Sequence, residues 1–145
     1  MKSPRLILGA LVVVILSLVS GCASLKEALK GVAGISTDQL ELARKSAVIK
    51  TFDLDYNTCN GRLRKALKFM DSYIYTEDKT KNLIAIYVDY NDTTPVGIFI
   101  TSLGDNLTKV EVSSPSSFAR DLIATKMFGF IENPDLMKEE NKIIG

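Results

Sequence analysis

The chain has 145 residues, of which 46% are hydrophobic and 24% are charged, a composition typical of a globular protein rather than of a disordered chain. Its formal net charge of +1 lacks the basic surplus with which nucleic-acid-binding proteins displace counterions, so we expect no nucleic-acid partner. Histidine is absent, which excludes serine–histidine and cysteine–histidine catalysis and every histidine-ligated metal site, and we expect neither a metal nor another cofactor.

The first 21 residues have the features of a cleaved secretory signal peptide. Lys2 and Arg5 form a short positively charged start, and residues 6–19 are an almost wholly apolar run. A run of about 14 residues is shorter than the roughly 20 residues that cross a bilayer as a helix, but it fits the apolar core of a secretory signal. We therefore expect residues 1–21 to be removed from the mature protein.

The apolar run ends in Val19-Ser20-Gly21-Cys22, an aliphatic residue and two small residues in front of a cysteine. This motif resembles the lipobox of bacterial lipoproteins. The resemblance implies cleavage between Gly21 and Cys22, a diacylglyceryl group on the Cys22 sulfur, and binding to membrane lipid through the acylated cysteine, because several acyl chains hold a protein durably. In enterobacterial lipoproteins an Asp after the cysteine favours the inner membrane, so Ala23 favours the outer membrane, facing the periplasm. The alternative is an uncleaved signal anchor with an incidental cysteine.

Residues 22–46 are predicted to hold the lipidated cysteine, a tether and a short helix. Ser36 and Gln39 have the spacing of a capping box, which predicts a brief helix that ends near Arg44 or Lys45. The folded domain is predicted to span residues 47–131. Residues 132–145 are mostly polar, and we expect them to form a flexible C-terminal tail.

Residues 47–131 contain the patterns of both strands and helices. Apolar alternation from residue 48 predicts a strand, and a helical stripe from Cys59 to Met70, capped by Asn57 or Thr58, predicts a helix. Four further strands are predicted at residues 72–77, 83–90, 96–103 and 107–113. Ser114 as the cap and Pro115 as the first helical residue then predict a second helix.

The order strand, helix, four strands, helix predicts an α+β fold: a mainly antiparallel five-stranded sheet with two helices packed on one face. This element order is similar to the helix-grip and TATA-binding-protein-like architectures, a similarity that implies no function. The stretches DTTPVG (residues 92–97) and EVSSPS (residues 111–116) also resemble recurring stretches in an uncharacterised group of small bacterial lipoproteins. That resemblance implies an envelope location and no activity.

Strand alternation separates the residues of the predicted sheet into two faces. The residues predicted to face the helices are Ile84, Ile86, Val88, Ile98, Ile100, Val110 and Val112. An aromatic group then falls on the opposite face: Tyr73, Tyr75, Tyr87 and Phe99. Such a face is a natural surface for binding another protein, because Tyr offers apolar area and a hydroxyl group. The alternative is that the tether, the tail or the 38–45 helix covers it.

Cys59 is the one residue that suggests catalysis. At a helix N-terminus with Arg62 nearby, its thiolate would be favoured, which supports a small thiol-dependent enzyme as an alternative function. The opposing interpretation is that Cys59 begins the apolar stripe and is buried. We expect the chain to be a non-enzymatic, lipid-anchored protein of the cell envelope that binds another envelope protein or has a structural role.

Overall fold

The computed structural model describes residues 36–144, and the residues from Thr37 onward form one compact unit. The predicted signal peptide, the lipobox with Gly21 and Cys22, and the predicted tether lie outside the described residues. Within the described part of the chain, no helix combines the length and the apolar character that crossing a bilayer requires.

The fold is α+β, as the sequence pattern predicts. The elements follow one another as α1 (Thr37–Leu42), a 3₁₀ turn (Ala43–Ser46), β1 (Val48–Phe52), α2 (Tyr56–Phe69), β2 (Tyr73–Asp78), β3 (Leu83–Tyr87), β4 (Pro95–Gly104), β5 (Leu107–Ser113), α3 (Ser117–Glu132) and α4 (Leu136–Ile144). The five strands form one sheet in the order β1-β5-β4-β3-β2, and every neighbouring pair is antiparallel. The predicted fold class and strand number are therefore confirmed.

The main hydrophobic core lies between α2, α3 and the inner face of the sheet. All seven residues that alternation assigns to the helix-facing side are buried in this core, which confirms the predicted inner face. Leu63 and Leu67 contribute from α2, and Ile123 and Met127 contribute from α3. Burial of this apolar surface is the main favourable term that holds the two helices on the sheet.

Both long helices begin at caps other than the predicted ones. The Thr58 amide donates to Asp55 Oδ1 at 3.0 Å, so Asp55 rather than Asn57 or Thr58 caps α2. The Ala119 amide donates to Ser116 Oγ at 3.3 Å, so Ser116 caps α3. Several neighbouring residues could cap each helix, and the pattern alone does not select among them.

The predicted cap Ser114 is buried and has a different task. Its hydroxyl donates to the Pro95 carbonyl oxygen at 2.7 Å, and it accepts a hydrogen bond from the Ser116 amide at 3.1 Å. Ser114 therefore ties the start of α3 to the start of β4.

Two predicted segment boundaries are also corrected. Residues 37–46 belong to the compact unit rather than preceding it, because α1 packs on the sheet. In the segment 132–145, predicted to be a flexible tail, Leu136–Ile144 forms helix α4. Met137 of α4 packs against the main core. The segment contains too few apolar residues for its sequence to predict this contact.

Candidate binding surface

The outer face of the sheet, opposite α2 and α3, is divided into a covered part and an exposed part. In the covered part, the fully buried Leu40 of α1 packs with Leu83, Ala85 and Phe99 in a second, smaller core. Gly97 allows this close approach, since a Cβ atom at that position would lie 3.0 Å from the Leu40 Cβ atom. Leu40 therefore fills a site on the sheet that would otherwise be open and apolar.

Polar contacts hold the same segment in place. The Ser113 hydroxyl donates to the Leu40 carbonyl oxygen at 2.8 Å. The Arg44 guanidinium donates to Glu111 Oε2 at 2.7 Å and lies 4.0 Å from the centroid of the Phe99 ring, which permits a cation–π contact. Through these contacts, Leu40 and Arg44 hold residues 37–46 on the sheet.

Phe99 is therefore not available to a partner, and its predicted place in the exposed aromatic group is wrong. Only 1% of its surface is exposed. Alternation correctly assigns Phe99 to the outer face, but the covering helix is set by contacts with residues distant in the sequence. For Phe99 the alternative prediction, that the 38–45 helix covers this face, is the correct one.

The other three predicted aromatic residues, Tyr73, Tyr75 and Tyr87, lie together on this face beside the covered part, and together with Tyr90 we call them the tyrosine cluster. The Tyr75 and Tyr87 rings are stacked with centroids 4.4 Å apart, and the Tyr73 and Tyr87 centroids are 6.2 Å apart at an interplanar angle of 12°. The Tyr90 ring lies 5.6 Å from the Tyr73 ring. Tyr73 is 45% exposed and Tyr90 is 71% exposed, so the cluster presents aromatic surface to solvent.

Strand pairing positions the first three tyrosines. Tyr73 lies directly opposite Tyr87 in the β2–β3 pair, and the register shifts between Ile74 and Thr76, so Tyr75 is the extra residue of a β-bulge. Burial, and to a lesser extent the neighbouring Tyr87, raises the pKa of Tyr75 to about 12. Its phenol is therefore neutral at physiological pH.

Tyr90 is held by the loop after β3, and sequence reasoning missed it as a member of the cluster. Asp89 Oδ1 accepts hydrogen bonds from the Asn91 amide at 2.6 Å and the Asp92 amide at 2.9 Å. Asp92 Oδ1 in turn accepts from the Thr94 amide at 3.0 Å. The predicted strand ran to residue 90, whereas β3 ends at Tyr87, and this turn brings Tyr90 back towards Tyr73.

Two grooves adjoin the tyrosine cluster. The first has a volume of about 240 Å³, and its lining residues are Tyr73, Tyr87, Asp89, Tyr90 and Thr93. The second, of about 370 Å³, shares Tyr73 and Tyr90 with the first and also includes charged residues: Arg64, Lys68 and Asp71. The tyrosines therefore separate an acidic groove from one of mixed charge.

Cys59 does not offer a catalytic thiolate in this fold. It lies in the first turn of α2 but is fully buried in the main core. Burial raises the pKa of its thiol to about 11, and the opposing effect of the Arg62 charge is smaller. The Arg62 guanidinium instead donates to the Ile131 carbonyl oxygen at 2.9 Å, near the end of α3. The thiol is thus both protonated at neutral pH and closed to solvent.

Comparison with models of known protein families finds no match to this chain, and comparison with curated proteins also finds none. Within residues 36–144, no three Cys, Asp or Glu side chains are grouped as ligands for a metal ion. The candidate site is therefore defined by its own geometry: a cluster of partly exposed tyrosines beside a carboxylate.

Proposed function

We propose that this chain is a lipid-anchored protein of the cell envelope that binds another envelope protein through the tyrosine cluster and catalyses no reaction. The observation that carries the anchor is the motif Val19-Ser20-Gly21-Cys22 directly after a positively charged start and a short apolar run. In this proposal the acylated Cys22 holds the protein at the outer membrane, with the folded domain in the periplasm.

The tyrosine cluster supports the protein-binding part of the proposal. Aromatic residues are enriched in protein–protein interfaces because they bring large apolar area together with a hydrogen-bonding group. Tyr73 and Tyr90 are exposed at one end of the sheet, where they adjoin each other and the less exposed Tyr87. A partner that covers them would remove from water an apolar area that this fold leaves uncovered.

The burial of Cys59 supports a non-enzymatic role over the thiol-dependent alternative. A nucleophilic cysteine acts as the thiolate and needs access to its substrate. The Cys59 thiol has its pKa raised to about 11 by burial, and it lies within the main core.

Crosslinking in living cells tests the proposed binding. The variants are the double substitution Tyr73→Ser with Tyr90→Ser, and Tyr56→Ser as the control, because Tyr56 is partly exposed at the start of α2, outside the cluster. We expect the original chain and the control to yield the same crosslinked envelope protein and the double variant to yield none. If the double variant retains every crosslink, the tyrosine cluster is not the binding surface.

A further inference from the structure

The first groove beside the tyrosine cluster combines aromatic rings with a negative charge. Tyr73, Tyr87 and Tyr90 line it together with Asp89 and Thr93. The face of an aromatic ring carries partial negative charge, so several rings around one space attract a cation, and a carboxylate adds to that attraction. An anionic ligand would be repelled by Asp89.

Asp89 keeps the capacity to bind a ligand. The two loop amides that it accepts, from Asn91 and Asp92, both reach the same oxygen, Oδ1. An ionised carboxylate has about four acceptor positions over its two oxygens, so two amide contacts do not exhaust it. The loop hydrogen bonds therefore hold the carboxylate through one oxygen and leave acceptor positions for a ligand.

The charges around the cluster also favour a cationic ligand. Arg64 lines the second groove, but its guanidinium donates two hydrogen bonds to Glu77, at 2.9 Å and 2.7 Å. The carboxylate of Glu77 therefore compensates the charge of Arg64. Lys68 and Asp71 carry opposite charges in the same groove. With these charges balanced, Asp89 is the one charged residue without a compensating charge among those that line the two grooves.

We propose that the tyrosine cluster and Asp89 form a cation site that receives a lysine or arginine side chain of the partner protein. This inference rests on the proposed function and specifies the chemistry of the partner. The groove of about 240 Å³ has room for the methylene stem of such a side chain against the rings, with the charged end at Asp89. A zwitterionic lipid headgroup fits less well, because its phosphate would approach the same carboxylate.

Titration of the purified full-length mature protein with small side-chain probes tests this site. The protein is kept in a maltoside detergent, which carries no charge, and the probes are the methylamides of N-acetyl-lysine and of N-acetyl-norleucine. Norleucine has nearly the shape of lysine without the charge. Binding is followed through the NMR signals of the tyrosine rings, which are few because the chain has five tyrosines. We expect the lysine probe to shift the signals of Tyr73, Tyr87 and Tyr90 and to bind about fivefold more tightly than the norleucine probe.

Two variants test the contributions of the carboxylate and of one ring to lysine binding, and a third serves as the control. Asp89→Asn keeps an oxygen that can accept the loop amides but removes the charge, and Tyr90→Leu removes one ring at a largely exposed position. Both should weaken lysine binding by about fivefold, while Tyr56→Leu should leave it unchanged. Equal binding of the lysine and norleucine probes, or no shift with either, would overturn the cation site. An unchanged affinity in Asp89→Asn would overturn the role of the carboxylate.

A further titration distinguishes a protein side chain from a lipid headgroup as the source of the cation. Combined with the crosslinking experiment, it also separates failure of the cation site from failure of the proposed function. Glycerophosphocholine, the headgroup of a zwitterionic lipid, is titrated under identical conditions, and tighter binding of this probe than of lysine would overturn the assignment to a protein side chain. If lysine fails to bind while tyrosine-dependent crosslinking in cells persists, the cation site is wrong and the proposed function stands. If lysine binds as expected but no tyrosine-dependent crosslink forms, the claim of a protein partner fails instead.

Discussion

Cys59 and Glu111 are two ionisable residues that the fold buries, with opposite effects on their pKa values. Burial raises the pKa of the Cys59 thiol, because the opposing charge of Arg62 is too weak to compensate for the loss of water. Burial would also raise the pKa of Glu111, but hydrogen bonds and charges from Arg44 and Lys109 together outweigh it, so the pKa lies below its ordinary value. The first group is therefore neutral and inert, and the second is charged and holds the 3₁₀ turn after α1 in place through Arg44.

The environment of Cys59 predicts slow reaction with thiol reagents. With a pKa of about 11, only about one thiol in a thousand is ionised at about pH 8, and burial keeps the reagent away from the sulfur atom. We expect the peptide that contains Cys59 to be labelled at least about 100-fold more slowly in the native protein than in urea. Peptide mapping by mass spectrometry measures both rates. Labelling in native buffer at the rate seen in urea would restore the thiol-dependent enzyme as a candidate.

Glu111 predicts a specific dependence of stability on acidity. Its pKa is lowered in the folded protein, so its contribution is present above the unfolded pKa and is lost as the pH falls through the folded value. We expect Glu111→Gln to be less stable than the original chain at about pH 7, and the difference to shrink towards zero by about pH 3. Urea unfolding of both proteins across this range measures the difference in free energy. A difference that stays constant with pH would show that the charge of Glu111 does not stabilise the fold.

At the scale of elements, residues 37–46 are attached to the outer face of the sheet. Leu40 is buried in a site formed by Leu83, Ala85 and Phe99. Arg44, in the 3₁₀ turn that follows α1, forms an ion pair with Glu111 of β5. Leu40 is the one buried residue of this short segment.

Leu40 and Leu42 form a matched pair that tests this attachment. Both lie on α1, but Leu40 is fully buried whereas Leu42 is 67% exposed. We expect Leu40→Ala to lower the free energy of unfolding by about 2–4 kcal/mol, because it leaves a cavity, and Leu42→Ala to lower it by less than about 0.5 kcal/mol. Urea denaturation of the two variants provides the comparison. Similar losses in both would mean that α1 is not held by Leu40.

Much of the sheet could be predicted from the sequence, because strand alternation is a local property. The inner face, including Ile86, Ile98 and Val112, follows from residues two positions apart, and the core confirms it. The outer face could be predicted in its membership but not in its exposure. Whether Phe99 is covered depends on the contact with Leu40, which lies far away in the sequence.

The tyrosine cluster shows the same limit at a smaller scale. Strand alternation predicts that Tyr73 and Tyr87 share a face, but their direct pairing depends on the bulge at Tyr75, which the pattern does not predict. Tyr90 joins them only because β3 ends early and Asp89 organises a turn with its side chain. Local patterns place strand ends poorly, so a residue just beyond a strand is easily assigned to the wrong surroundings.

At the scale of the whole molecule, the two faces of the sheet have different roles. α2 and α3 close the inner face over the main core, and α1 closes part of the outer face. The remaining part presents the tyrosine cluster and the carboxylate of Asp89. In the proposed function, Cys22 keeps this surface at the membrane, where the number of accessible partners is limited to proteins of the same compartment.

The mass of the mature N-terminal peptide tests the central claim most directly. Isolation of the protein from bacterial membranes, digestion and mass spectrometry would identify its first residue and any group bound to it. The account predicts a peptide that begins at Cys22 and carries a diacylglyceryl group on sulfur and an acyl chain on the amino terminus. A peptide that begins at Met1, or one that contains an unmodified Cys22, would contradict it.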